Sequence, residues 1–242
     1  MDAIVIKDLT KKYKDIVAVN DFSLSVRSGE LLSLLGVNGA GKTTLIKLLS
    51  CLSAPTSGDA FLNGKSIVDD RDAVKSMIAV SPQESAVAPG LSVRENLELI
   101  AGICAFPREK REKKINEMSE LFGLSAVMKR RAGKLSGGWQ RRLSIAMALI
   151  CEPEILFLDE PTLGLDVIAR SELWDIIRAL KEKATIILTT HYMEEAAALS
   201  DRVAIMNKGM LLACDTVEGI KHTTGQNSLE DAFLHIVKEG AK

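Results

Sequence analysis

A stretch of eight residues, GVNGAGKT at positions 36–43, combines glycines, a lysine and a threonine between an apolar run and a helical pattern. Glycines let the backbone curl so that its N–H groups surround phosphate oxygens. Lys42 is placed to reach terminal phosphates, and Thr43 to offer its hydroxyl to Mg²⁺. We therefore predict a phosphate-binding loop that consists of Gly36, Val37, Asn38, Gly39, Ala40, Gly41, Lys42, Thr43 and Thr44.

Two adjacent carboxylates follow a second apolar run, in the sequence ILFLDE. Ligands of open α/β sheets collect at the carboxyl ends of the strands, so Asp159 is expected beside the phosphate loop, where it can hold the magnesium shell. Glu160, one residue later, is placed to accept a proton from an attacking water. This arrangement favours hydrolysis over transfer to a second substrate. The alternative is that Glu160 is merely an acid at a helix start or on the surface.

A histidine ends another predicted buried strand, ATIILTTH. A lone histidine is usually structural, but the end of this strand belongs to the same sheet edge as the two carboxylates. We therefore expect His191 to contact a γ-phosphate. His222 and His235 have no such context.

A serine and two glycines precede a helical pattern in the sequence LSGGWQRRL. Ser136 suits the N-cap position, and Gly137 and Gly138 leave the positive end of the helix open to an anion. The alternative is a capped helix that merely follows a flexible glycine pair.

The elements that must position these residues alternate along the chain. Predicted strands such as ELLSLLG, EILFLDE and ATIILTTH are separated by helical patterns, which indicates a mostly parallel sheet covered on both faces. Short alternating segments at the start predict antiparallel strands, and residues 92–149 have helical patterns. The predicted fold class is α/β: a P-loop NTPase core, an N-terminal antiparallel β subdomain and an inserted α-helical subdomain.

Composition excludes several classes of protein. The chain has 242 residues, 47% of them hydrophobic, and 31 Lys and Arg against 32 Asp and Glu give a net charge of -1. Nothing global therefore indicates a nucleic-acid partner or a polybasic membrane anchor. The N-terminus lacks a signal-peptide pattern and no run is long enough to span a membrane, so we expect a soluble protein. The four cysteines have no CxxC pair and are expected to be buried thiols in a reducing cytosol.

The order of these motifs resembles the ATP-binding-cassette (ABC) ATPases over nearly the whole chain. The phosphate loop is followed by SPQ, LSGGWQRRLSIAMAL, ILFLDEPTLGLD and TTH. The resemblance implies that the chain binds and hydrolyses ATP with Mg²⁺. It also implies that Ser136, Gly137 and Gly138 of one cassette close on the ATP held by the phosphate loop of a second cassette, head to tail.

The resemblance also implies roles for several single residues. Gln83, in SPQ, looks like the glutamine that touches magnesium and water and senses the membrane subunit. Tyr13, in KKYKD, is placed like the aromatic residue that stacks on adenine, although a strand tyrosine packed against its neighbours is the alternative. Asp166, in LGLD, matches the loop that meets the partner cassette. Trp139 departs from the family, whose signature most often has glutamine there, whereas Gln140 comes one position later.

The resemblance implies a function as well as a fold. Single-cassette chains of this length look like bacterial exporter-type subunits, which dimerise around two ATP molecules and power a separate membrane-spanning permease. Such a subunit is cytoplasmic and lies on the inner face of the membrane through the permease, with no nucleic-acid partner expected. One alternative is a soluble ABC ATPase that remodels a ribosome or nucleic-acid complex, and another is a nucleotide-gated binding module with little turnover.

We expect a single ABC ATPase domain over residues 1–242. Residues 1–83 and 150–215 would form the ATP-binding core with its β subdomain, about 84–149 the helical signature subdomain, and 216–242 a short helical tail.

Overall fold

Two β-sheets and the helices around them form the chain, of which the computed structural model describes residues 1–104 and 106–239. The strands, in chain order, are β1 (Asp2–Tyr13), β2 (Ile16–Arg27), β3 (Leu31–Leu35), β4 (Ser57–Leu62), β5 (Lys65–Ser66), β6 (Ile78–Ser81), β7 (Ile155–Asp159), β8 (Thr185–Thr190), β9 (Arg202–Asn207) and β10 (Met210–Asp215). The α-helices are α1 (Lys42–Leu49), α2 (Arg71–Met77), α3 (Val93–Ile103), α4 (Arg108–Leu121), α5 (Gly137–Leu149), α6 (Val167–Leu180), α7 (Met193–Leu199), α8 (Val217–Thr224) and α9 (Leu229–Glu239). Ala105, in the predicted helical subdomain, and residues 240–242, in the predicted tail, lie outside the described residues.

The larger sheet positions most of the predicted site. Its strand order is β10-β9-β3-β8-β7-β6, and every neighbouring pair is parallel except β10 and β9. All residues of β3, β7 and β8 are buried, which explains why they read as continuous apolar runs. The prediction of a mostly parallel sheet with both faces covered is confirmed.

Side chains alternate between two cores on the faces of this sheet. Leu156 and Leu158 of β7 belong to the core formed with the helices of residues 93–149, whereas Ile155 and Phe157 belong to the core formed with the N-terminal strands and α1. This two-residue period is the normal consequence of strand geometry. The strand is therefore anchored on both faces, so Asp159 at its end has a fixed position.

The smaller sheet is antiparallel, as predicted for the start of the chain. Its order is β2-β1-β4-β5, and β1 and β2 form a long hairpin. Phe22, Leu24 and Val26 of β2 pack in the same core as Leu45 and Leu48 of α1. The sheet thereby supports the helix that begins at the phosphate loop.

Helices α3, α4 and α5 lie between β6 and β7 in sequence, where helical patterns were predicted. Helix α3 begins with a capping box, in which Ser92 and Glu95 satisfy each other's backbone N–H groups. The longest α-helices, α4 and α6, have 14 residues. In the described part of the chain, no helix has both the length and the apolar character needed to cross a membrane.

Two helices were not predicted, namely α2 and α7. Each has only seven residues, and α2 buries Val74 alone, so neither shows a usable helical period. The strand predicted in SMIAVSP begins only at Ile78, because Ser76 and Met77 end α2.

The expectation of four free thiols is wrong for two cysteines. Cys104 and Cys151 form a disulfide, with their Cα atoms 5.6 Å apart. They follow α3 and α5 and are separated by 47 residues in sequence, so only the packing of the two helices brings them together. Cys51 is buried and Cys214 is half-buried, and both are free thiols.

Candidate functional site

The phosphate loop connects the buried strand β3 to helix α1. Gly41 occupies the N-cap position of α1 with φ of +107°, a conformation that favours glycine. A Cβ atom at this position would lie 2.3 Å from the carbonyl oxygen of Ala18, so the loop also passes too close to β2 for a side chain. Glycine therefore keeps the first N–H groups of α1 open to the cleft in front of them.

A cleft of about 650 Å³ lies in front of this helix start. Of the predicted site residues, 38–44, Gln83, Glu160 and His191 line it together. Other elements complete the wall through Ile16, Val17, Ala18, Leu163 and Lys208. Residues from six separate parts of the sequence thus converge on one space of a size suited to a small ligand.

The cation of the site is held by its own loop. Lys42 is buried, and its Nζ donates to the carbonyl oxygens of Gly36, at 2.7 Å, and Val37, at 3.3 Å. Burial lowers the pKa of Lys42, whereas the Glu160 carboxylate, 3.6 Å away, favours the charged form. The charges of Lys42 and of Glu160, the predicted base, therefore offset each other.

Asp159 joins the phosphate loop to the strand next to it. Its Oδ1 accepts hydrogen bonds from the hydroxyls of Thr43, at 3.3 Å, and Thr189, at 2.5 Å. The predicted pair of magnesium ligands, Thr43 and Asp159, is thus already in contact. Both present oxygen atoms, which are the donors that Mg²⁺ prefers.

Glu160 has an unusual backbone for its residue type, with φ of +47°. Its N–H donates to the carbonyl oxygen of Thr189, at 3.1 Å, and to the Thr189 hydroxyl, at 3.0 Å. Left-handed conformations of non-glycine residues are unfavourable and persist only where the surroundings hold them, often at functional sites. The bonds to β8 thus fix the direction in which Glu160 leaves the strand.

His191 lies beside the predicted base. Its Nδ1 is 3.0 Å from Oε2 of Glu160, but the direction of this contact does not satisfy a hydrogen bond, and no other described residue bonds this nitrogen. The imidazole is therefore within reach of the carboxylate and still has an unused polar atom.

The predicted signature residues lie outside this cleft. Ser136 takes the N-cap position of α5, but within the described residues its hydroxyl makes no capping hydrogen bond. Ser136 and Gly137 are exposed, and a Cβ at Gly137 would meet no atom within 4 Å. Asp166 caps α6 by accepting from the N–H of Ala169, at 2.9 Å. The start of α5 is therefore exposed and contributes no residue to the lining of the cleft.

Trp139, the departure in the signature, packs against the core of the helical segment. The Arg142 guanidinium lies 5.1 Å from the centre of its ring. Gln140 donates from Nε2 to the carbonyl oxygens of Ala132 and Leu135, both at 3.2 Å. Trp139 and Gln140 therefore attach α5 to the helical segment of its own chain, and neither contact involves the Ser-Gly-Gly start.

Besides the signature residues and Asp166, four predicted site residues do not line the cleft, namely Asp159, Gly36, Val37 and Tyr13. Gly36 and Val37 lie at the base of the loop and contribute carbonyl oxygens to Lys42. Tyr13, at the end of β1, is 44% exposed, and the Nζ of Lys11 lies 4.9 Å from its ring centre. Ile16 and Val17 line the cleft in place of Tyr13, whose role as an adenine platform stays a prediction.

Arg141 is the residue that the sequence analysis missed. Its side chain is 4% exposed and donates hydrogen bonds to the backbone carbonyl oxygens of Gln83 and Glu160. A signal was present in the sequence, because Arg141 precedes the buried Ile145 and Leu149 by four and eight residues and so shares their apolar face.

Comparison with known proteins agrees with this geometry. Residues 19–163, more than half of the chain, match the family described as ABC transporter. The chain belongs to the ABC transporter family.

Relatives of this ABC protein cover almost its whole length. It is 40% identical over 99% of its length to the doxorubicin resistance ATP-binding protein DrrA of Mycobacterium tuberculosis, of which it covers 72%. It is 34% identical over 98% of its length to YbhF of Escherichia coli, described as a probable multidrug ABC transporter ATP-binding protein, of which it covers 42%.

Solved structures show the same ABC fold. An ATP-binding subunit of an ABC transporter matches 97% of this chain with a TM-score of 0.87 and 28% identity, and 99% of that structure is covered. A dimeric cassette in a post-hydrolysis state with ADP and phosphate matches 88% of this chain with a TM-score of 0.80 and 27% identity, and 98% of it is covered. The chain is therefore an ATP-binding and ATP-hydrolysing subunit, as predicted.

Replacement of Gly41 by alanine tests the close approach of the phosphate loop to β2. We expect Gly41→Ala to weaken ATP binding by more than about tenfold, because the new Cβ atom must displace either the loop or Ala18. The measurement is the Kd for ATP by isothermal titration calorimetry.

The matched control is Gly29→Ala, outside the cleft. Gly29 also has a positive φ, of +74°, but a Cβ there would meet nothing within 4 Å. It carries only the conformational cost of about 1–2 kcal/mol. Equal ATP affinities for the two variants would contradict the steric explanation.

Proposed function

We propose that two copies of this chain enclose two ATP molecules head to tail and power a separate membrane-spanning permease. The observation that carries this proposal is the division of the site. Residues of the phosphate loop, Gln83, Glu160 and His191 share one cleft, whereas Ser136 and Gly137 are exposed outside it. A second copy can supply the helix start that each cleft lacks.

The start of α5 has the properties of an anion clamp. The first N–H groups of a helix have no partner within it, and the helix dipole favours negative charge there. No side chain at Gly137 obstructs an approaching phosphate. In the proposed dimer, this end contacts the γ-phosphate of ATP on the phosphate loop of the other copy.

Hydrolysis uses groups that are already adjacent in the cleft. Lys42 leaves the Gly36 carbonyl for the phosphates of ATP, so its partner Glu160 is free to accept a proton from the attacking water. The water oxygen bonds to the γ-phosphorus, the bond from that phosphorus to the ADP oxygen breaks, and ADP and phosphate leave. His191, beside Glu160, contacts the γ-phosphate, and Gln83 orients the water.

The donors present fit Mg²⁺. Thr43, Asp159 and Gln83 offer a hydroxyl, a carboxylate and an amide oxygen. In the part of the chain that the structure describes, no cluster of three His, Cys, Asp or Glu side chains could hold a metal alone. Mg²⁺ at nucleotide sites needs only one or two protein ligands besides phosphates and water. When bound, it neutralises the charge that develops on the phosphates.

The helical segment is the proposed docking surface for the permease. We assign residues 1–83 and 150–215 to the ATP-binding core, about 84–149 to the helical subdomain and 216–242 to a C-terminal tail. Leu99 and Ile103, on α3, are exposed apolar residues of this helical subdomain. Such side chains suit contact with a helix of another protein.

The names of the relatives support an exporter. DrrA is described as a doxorubicin resistance protein, and YbhF as a probable multidrug transporter component. We propose that this chain likewise drives export of a small molecule, at the cytoplasmic face of the membrane and held there by the permease.

Replacing the proposed base separates binding from hydrolysis. We expect Glu160→Gln to bind ATP normally, to lower kcat by about 10²–10⁴-fold, and to accumulate as a dimer in ATP, because proton acceptance is lost while the clamp remains. Steady-state ATPase rates and light scattering with size-exclusion chromatography measure these effects. Turnover close to that of the unaltered protein would remove Glu160 from the role of base.

Mixed mutants test whether the two halves of a site come from different copies. Lys42→Ala and Ser136→Arg chains should each be inactive alone, and mixing should restore activity, because one site of the heterodimer combines an intact phosphate loop with an intact signature. The rate of the mixture is compared with the sum of the separate rates. A merely additive rate would contradict the head-to-tail arrangement.

Copurification identifies what the ATPase drives. The Glu160→Gln protein, tagged at the C-terminus, is isolated in ATP from cells solubilised in mild detergent, with Lys42→Ala as the control that should not be trapped. We expect a stoichiometric multi-span membrane protein. Ribosomal or DNA-associated proteins in its place would indicate a soluble remodelling ATPase and contradict the transporter proposal.

A further inference from the structure

One buried cation lies behind the nucleotide cleft, on the helix that carries the signature. Arg141 belongs to the second turn of α5, and its guanidinium is enclosed by two loops of the core. Each of its N–H groups has an acceptor, and the acceptors are five backbone carbonyls: Pro82, Gln83, Asp159, Glu160 and Pro161. The side chain therefore uses its full hydrogen-bonding capacity on the backbone of two functional loops.

The acceptors divide between two segments of the site. Nη1 donates to the carbonyl oxygens of Pro82 and of Gln83, the latter at 3.2 Å. Nη2 donates to Asp159, at 2.7 Å, and Glu160, at 2.6 Å. A planar guanidinium holds its donors in a fixed geometry, so the two segments are fixed relative to each other.

This contact completes the restraint on the backbone of Glu160. The N–H of Glu160 donates to the Thr189 hydroxyl, and the carbonyl oxygen of Glu160 accepts a hydrogen bond from Arg141. The left-handed φ of +47° is thus held from both sides of the residue. Without the guanidinium, the Glu160 carbonyl would keep only the longer bond from the N–H of Leu163, at 3.2 Å.

The arrangement is costly, which argues for a specific use. None of the five acceptors is a carboxylate, and burial lowers the pKa of Arg141 to about 10, against the opposing attraction of the carboxylates of Asp159, Glu195 and Glu160. The group is still charged at neutral pH. Removal of the guanidinium would leave several buried carbonyls without partners, an unfavourable state.

We propose that Arg141 is a positioning residue that sets the placement of Gln83 and Glu160 relative to each other and to the signature helix. It does not line the cleft, and it acts through the backbone of the two residues that we propose to orient and deprotonate the attacking water. This inference rests on the proposed role of Glu160 as the base. It adds the residue that positions this base.

Arg141→Lys is the decisive substitution, because a lysine keeps the charge but has three donors on one atom and cannot bond both loops. We expect kcat to fall by at least about tenfold, while the Kd for ATP changes by less than about threefold, since the phosphate loop does not contact Arg141. Arg141→Gln, which buries no charge, should give the same separation of kcat from ATP affinity.

The matched control is Arg178→Lys, on α6. Arg178 is exposed and bonds Asp175 on its own helix, at 2.7 Å. Its replacement should leave kcat, Kd and Tm unchanged. A kcat for either folded Arg141 variant within twofold of the unaltered protein overturns the proposal.

A double-mutant cycle separates positioning from general structural support. On the Glu160→Gln background, Arg141→Lys should cause little further loss of kcat, because the group that it aims has already been removed. Full additivity of the two losses would contradict the proposal, as would failure of both Arg141 variants to fold. If Glu160→Gln alone retains turnover, the role of the base is wrong. If only Arg141→Lys retains turnover, the role of Arg141 is wrong and the base stands.

Discussion

Parallel pairing of three neighbouring strands is the constraint on which the site depends. Asp159, the last residue of β7, is paired with Thr189 of β8, and Leu35, the last residue of β3, is paired with Thr190. The segments that follow these strand ends therefore begin at the same edge of the sheet. The phosphate loop, the two carboxylates and His191 meet there because their strands end in register, and the buried faces of the strands prevent that register from slipping.

The charged groups of the cleft lie in contact with one another. Lys42 bonds its own loop and lies near Glu160, which in turn lies beside His191. Burial lowers the pKa of Lys42, and the neighbouring carboxylate opposes that shift, so each charge is tolerated because of the other. In the proposed mechanism, ATP replaces these internal contacts with phosphate contacts, so that Glu160 is freed as the substrate arrives.

The parts of the site that could be predicted from sequence are those determined over a few residues. The phosphate loop depends on local glycines, and Asp159 and His191 follow recognisable apolar strands, so their shared edge follows from general rules of α/β sheets. Short elements such as α2 and α7 bury too few residues to leave a pattern. The disulfide of Cys104 and Cys151 depends on how α3 and α5 pack, which no spacing of cysteines reveals.

Arg141 shows most clearly why local patterns are insufficient. Its acceptors are backbone carbonyls from two distant loops, and a backbone carbonyl carries no residue type that a sequence could disclose. Ser136 at the start of α5 and Arg141 are five residues apart, a rise of about 7.5 Å along the helix axis. One helix therefore has the exposed start that we propose to bind an anion and, about one turn and a half later, the guanidinium that bonds the backbone of Glu160. In the proposed dimer, a shift of the start of α5 on contact with the partner's phosphate would therefore reach the carbonyl oxygen of Glu160 through a single helix.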